Sequence, residues 1–228
     1  MTMPPPMPHS QRRRAMPMVG AVLVTLALTL AGCASPPARF YTLTDAAGAA
    51  GAGSPATTGA NVPTAPYAIE VSPVAVPEQV DRPQLVVTRG GGRVDILEES
   101  RWAAPLKTEL TSTISRNLTQ HLGAMDVYGL PRADGLTVYR VSTSVQRFES
   151  VPGGQAALTA VWSVRRVPGD VVVTCRFAGT APASGDDGGT DGIDGVVAAQ
   201  RQLADRLALG IGNAIAASAQ GTTPHCER

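Results

Sequence analysis

Histidine, cysteine and lysine are scarce in this chain: among 228 residues there are three His, three Cys and a single lysine, Lys107. His9, His121 and His225 are scattered, and none is spaced with carboxylates or cysteines as metal ligands on one element would be. There is no Gly-x-Ser-x-Gly elbow, no phosphate-binding Walker loop and no His-Glu-x-x-His pair. The acidic string Asp186, Asp187, Asp191 and Asp194 lacks the regular spacing and closing glutamate of a calcium loop, so it reads as a solvated turn. Neither sign of charge dominates, with 19 basic against 18 acidic residues. Nucleic-acid affinity rests on clustered cations, and the triplet Arg12-Arg13-Arg14 lies in the segment expected to be removed. These absences leave no candidate catalytic residue, no metal and no cofactor, and they exclude a nucleic-acid partner.

A long hydrophobic run is also missing. The most apolar stretch, Val19 to Ala31, is too short to cross about 30 Å of hydrocarbon, which needs about 20 residues. It has the length of a signal-peptide core, and Arg12-Arg13-Arg14 supplies the positive region before it. Leu30-Ala31-Gly32-Cys33 then reads as a lipobox. Small residues let the chain enter a peptidase extended, and a thiol at the new terminus can take a diacylglycerol. The competing reading is an ordinary signal peptide with an incidental cysteine; the complete order of elements favours lipidation of Cys33. Cleavage there removes three of the nineteen basic residues and no acid, leaving 16 against 18, a net of −2. Two or three acyl chains hold a protein stably on a bilayer. Ala34 and Ser35 follow, with no Asp to retain the protein at an inner membrane. The expected location is therefore the periplasmic face of the outer membrane.

What remains is enough for one α+β domain: 43% of the chain is hydrophobic. Four segments are expected: a signal peptide over 1–32, a lipidated N-terminus with a short strand and an Ala/Gly-rich stretch over 33–66, the domain over 67–220, and a tail over 221–228. Phe40-Tyr41-Thr42-Leu43 reads as a short strand. From Ala46 to Pro66 the composition cannot repay its ordering entropy, so a flexible tether is expected. Ile69 and Val71 alternate as in a half-buried strand, with Pro73 and Pro77 marking an edge. Gln84–Arg89 and Arg93–Leu97 form a hairpin around Gly90-Gly91-Gly92.

Trp102, Leu106, Leu110, Ile114, Leu118 and Leu122 recur every four residues, which predicts a helix from Trp102 with Pro105 in its first turn and Gly123 as C-cap. Lys107, Glu109, Ser112, Arg116 and Gln120 fall on its other faces. Leu136–Phe148 is a strand whose parity shifts after Val145, the mark of a bulge. Two more alternating runs flank the turn Pro168-Gly169-Asp170. A second helix around 196–217 places Val196, Val197, Leu203, Leu207, Ile211 and Ile215 near one face. The expected architecture is an antiparallel sheet of five or six strands packed by two amphipathic helices.

If Cys33 carries lipid, Cys175 and Cys226 remain as an even pair in an oxidising compartment. A disulfide would tie the tail to the sheet. The alternative is a buried free thiol at Cys175 on the apolar strand face.

The order of residues resembles the PqiC-like family, the ABC-type transport auxiliary lipoproteins. The resemblance runs from Cys33 to about Ala217. It is carried by the lipobox, Phe40-Tyr41-Thr42-Leu43, Val71-Ser72-Pro73-Val74 with Pro77, Asp81-Arg82-Pro83-Gln84-Leu85-Val86, Arg101-Trp102-Ala103-Ala104-Pro105-Leu106 and Phe148-Glu149. The long insert after Thr44 and the tail with Cys226 depart from it. The resemblance implies a non-enzymatic docking piece of an intermembrane lipid-transport system, with an MCE-domain protein and a membrane permease as partners and a homo-oligomer as one arrangement. Another envelope complex, served structurally, is the alternative. Arg82 and Trp102 are the candidate interface or structural positions.

Overall fold

The computed structural model describes residues 37–44, 65–184 and 192–226. Cys33, the signal segment, most of the Ala/Gly-rich stretch, and Asp186, Asp187 and Asp191 lie outside them. In chain order the elements are β1 (Arg39–Tyr41), β2 (Ala68–Val71), β3 (Gln84–Gly90), β4 (Arg93–Trp102), α1 (Leu106–Leu122), β5 (Val138–Ser150), β6 (Gln155–Val167), β7 (Val171–Pro182) and α2 (Ile193–Ala219).

The α+β class holds, but the single antiparallel sheet does not. The strands form a three-stranded sheet in the order β1-β4-β3 and a four-stranded sheet in the order β2-β5-β6-β7. Each is mixed, because β1 runs parallel to β4 and β2 runs parallel to β5. The two short N-terminal strands cannot reach their partners by hairpins; each arrives across a long crossover, and such connections give parallel pairs.

Helix α1 follows from its stripe. Leu106, Leu110, Ile114 and Leu118 are fully buried, and each such leucine or isoleucine contributes about 1.5–3 kcal/mol. Its start differs from the sequence expectation. Trp102 is the last residue of β4, and Pro105 is the N-cap, one position before the first helical residue. Trp102 sits four residues before Leu106 and so mimics the helical period while belonging to a strand. The helix ends at Gly123, whose φ of 60° is left-handed, a conformation glycine adopts without a Cβ penalty.

Helix α2 packs along α1 and over β6 and β7. Leu203, Leu207, Ile211 and Ile215 are fully buried. The helices approach closely at Gly212, where an added Cβ would lie 2.6 Å from His121 Cδ2. His121 Nε2 in turn pairs with Asn213 Oδ1 at 3.1 Å. One core unites Leu85, Val87 and Trp102 of the smaller sheet with Val141, Leu158 and Val164 of the larger one and with both helical stripes.

The hairpin turn at Gly90–Gly92 forms as expected, with φ positive at all three glycines. The bulge in β5 also forms, between Val145 and Arg147. Strand β2 is an edge of its sheet but is buried at all four positions, not half-buried. Glu70 alternates outward from Ile69 and Val71, yet its carboxylate is covered by Arg140, whose Nε donates at 2.9 Å, and by Arg132. An ion pair on the outer face thus buries what a hydrophobic pattern reads as solvent-facing.

Candidate functional site at the N-terminal strand

The chain enters the folded domain through β1 and the three residues after it. Arg39, Phe40 and Tyr41 pair with Ser100, Arg101 and Trp102 of β4. Ala103 N–H donates to the Tyr41 carbonyl at 2.7 Å, extending the pairing by one bond.

Beyond β1 the chain is gripped by two charged side chains. Glu109, in the first turn of α1, is only 5% exposed. Its Oε2 accepts from Thr42 Oγ1 at 2.7 Å and from Leu43 N–H at 2.9 Å, while Oε1 accepts from Ala104 N–H at 3.1 Å. From α2, Arg201 donates through Nε to the Leu43 carbonyl at 3.3 Å and through Nη2 to the Thr42 carbonyl at 3.0 Å. Leu43 itself is fully buried. A carboxylate therefore takes the segment's donors and a guanidinium takes its carbonyls, so its polar backbone is met on both sides.

Sequence reasoning placed Glu109 on an outward face and assigned Arg201 nothing. The one local signal was the position of Glu109 in the first turn of α1, where a carboxylate favours the helix dipole. Its partners in the N-terminal segment, Leu43 and Thr42, lie 66 and 67 residues away, beyond any periodicity.

Tyr41 faces the start of α2. Burial raises its pKa above the usual phenol value, and the Asp194 carboxylate adds to the effect. Tyr67 is raised chiefly by burial too, then by Tyr139, against whose ring it packs edge-on at 5.2 Å. A phenol kept neutral in the fold contributes stability below its unfolded value of 10.0, and that contribution is lost as pH rises through the raised folded value. Tyr67→Phe is expected to lessen the decline in denaturation midpoint above pH 10. Equal declines in variant and parent would contradict this.

Trp102 is 6% exposed and packs edge-on against Phe148 with ring centroids 6.2 Å apart. Its backbone N–H donates to the Pro83 carbonyl at 2.8 Å. Arg82, next to Pro83, is half-buried, with Nε buried and unpartnered. The two residues meet the same strand junction, Trp102 from inside the core and Arg82 from its rim. Cys175 and Cys226 are joined as a disulfide with Cα atoms 5.5 Å apart. The bond ties the tail after α2 to β7, the edge strand of the larger sheet. Among the described residues no three His, Cys, Asp or Glu side chains gather as a metal site.

These features define a two-sheet α+β domain gripped through its own N-terminal strand. The family model for the ABC-type transport auxiliary lipoprotein component matches residues 41–212. The chain belongs to that family. In fold it is similar to a crystal structure of an uncharacterized protein, with 18% identity and a TM-score of 0.57 over 79% of this chain and 99% of that one. It is also similar to a protein of the DUF330 family from Xanthomonas campestris, with 20% identity and a TM-score of 0.53 over 70% of this chain and 90% of that one. No curated protein matches the chain.

Proposed function

We propose that this protein is the docking component of an MCE-type intermembrane lipid-transport system, held by acylated Cys33 on the periplasmic face of the outer membrane and carrying out no reaction itself. The observation that carries the reading is the family match, which begins at Tyr41, eight residues after Cys33. The lipobox supports the anchor, and Ala34 and Ser35 support the outer-membrane destination. Among the described residues no helix is long and apolar enough to cross a membrane, which accords with attachment through lipid. The gripped strand β1 gives such an anchor a firm attachment.

Two measurements test this. Cys33→Ser should move the protein from the membrane fraction to the soluble periplasmic fraction, since no acyl chain would then be buried. Retention in the membrane fraction to the extent of the parent would refute lipid anchoring. The parent, solubilised gently, should co-purify with an MCE-domain protein and its permease. Repeated recovery of assembly factors alone would assign it to another envelope machine.

A further inference from the structure

The outer face of the three-stranded sheet carries large apolar side chains that are exposed among the described residues. Phe40 is 67% exposed, Val94 55% and Ile96 42%. Their common side follows from the register. Leu85 and Val87, opposite Leu97 and Asp95, point into the core, so Val86 and Thr88, opposite Ile96 and Val94, lie on the other face of the strand, with Val86 half-buried at the core's margin. A register shift between Gln84 and Leu85 resets the parity of β4. Beyond it Ser100 and Trp102 point inward, leaving Arg101 and its partner Phe40 on the outer side.

The direction of β1 decides what this face meets. Because β1 is parallel to β4, with Arg39 opposite Ser100, its N-terminal end points back along β4 toward Ile96, Val94 and the glycine turn. Cys33 precedes Arg39 by six residues, and six residues span at most about 20 Å. Strand β4 covers about the same length from Ser100 back to Val94. An acyl group on Cys33 is thus leashed within one strand length of a face that shows Phe40, Ile96 and Val94. Arg93 is exposed at the hairpin tip, while along the hairpin Arg89 pairs with Asp95 and Arg101 with Glu98. Apolar side chains bordered by Arg93 and by paired charges suit the boundary between headgroups and acyl chains.

We infer that the outer face of this sheet is the membrane-contacting surface, seated on the leaflet that holds the lipid of Cys33. The inference rests on the acylation proposed above. The contact fixes the orientation of the domain: with the sheet face on the bilayer, the helices and the larger sheet are presented to the periplasm.

The test uses the full acylated protein on vesicles of phosphatidylethanolamine and phosphatidylglycerol. Ile96→Trp places a reporter on the face, and Phe40→Trp a second. Leu209→Trp is the control, an exposed position on α2 about 22 Å along the helix from Asp194. The parent, whose Trp102 and Trp162 are buried, supplies the background. On vesicles both face probes should shift to shorter wavelength and lose about half their emission to brominated lipid, while Leu209→Trp stays unchanged. If the protein floats with vesicles and neither face probe is quenched, the membrane face is overturned and the anchor stands. If the control is quenched as strongly as the face probes, the proposed orientation is overturned. If the parent carries no diacylglycerol by mass and does not float, anchor and face fall together.

Discussion

Glu109→Ala is expected to lower stability by about 4 kcal/mol, which in a domain of this size is a fall in Tm of about 8–16 °C. The substitution removes one carboxylate but strands three donors: the Leu43 and Ala104 amides and the Thr42 hydroxyl. Each bond to a charged group is worth about 1.5–3 kcal/mol, and a buried donor left without an acceptor keeps its full desolvation cost. Glu109→Gln retains one acceptor oxygen and should fall between alanine and parent. Thermal denaturation of the three proteins checks the order. A fall under about 2 °C for alanine would mean that Glu109 does not hold the segment after β1.

Breaking the disulfide should cost a comparable amount. Cys175 and Cys226 are separated by 51 positions, and closing a loop of that size restricts the unfolded chain by about 4 kcal/mol in the chain-entropy model. The bond encloses the end of β7, the following loop and all of α2, so the restraint acts on the helix that places Leu203, Leu207, Ile211 and Ile215 in the core. Cys226→Ser is the cleaner variant, because Cys226 is exposed whereas Cys175 is buried. Its Tm should drop by about 8–16 °C and should equal that of the parent under reducing conditions. A variant as stable as the oxidised parent would show that the tail contributes no restraint.

These two sites differ in how far they could be read from the amino acids. The helical stripe at Leu106, Leu110, Ile114 and Leu118 was legible because a period of 3.6 is a local property of the chain. So were the glycine hairpin and the bulge after Val145, where turn chemistry and parity announce themselves within a few residues. The start of α1 was misplaced because Trp102 falls in step with the stripe by coincidence of spacing. The split into two mixed sheets was not legible: alternation identifies a strand but says nothing about its neighbour.

Glu109 shows the same limit at a single residue. A glutamate among leucines reads as the wet side of a helix, and only the return of Thr42 and Leu43 to its side chain makes it an interior group. The cysteine pair stood between. Parity and compartment favoured a bond over a free thiol, but whether two positions 51 apart meet depends on where α2 ends relative to β7. Glu70 was hidden for a further reason, since the guanidiniums that cover it come from Arg132 and Arg140, far along the chain.

The parallel seam between β1 and β4 has a mechanical consequence. A tug on the N-terminus acts along the axis of β1, so its bonds to β4 are strained side by side, in shear. A peeling geometry would instead break them in turn, each at the full load. Behind that seam Glu109 and Arg201 act as a cleat, so a pull on β1 meets resistance before the domain can unravel from that end.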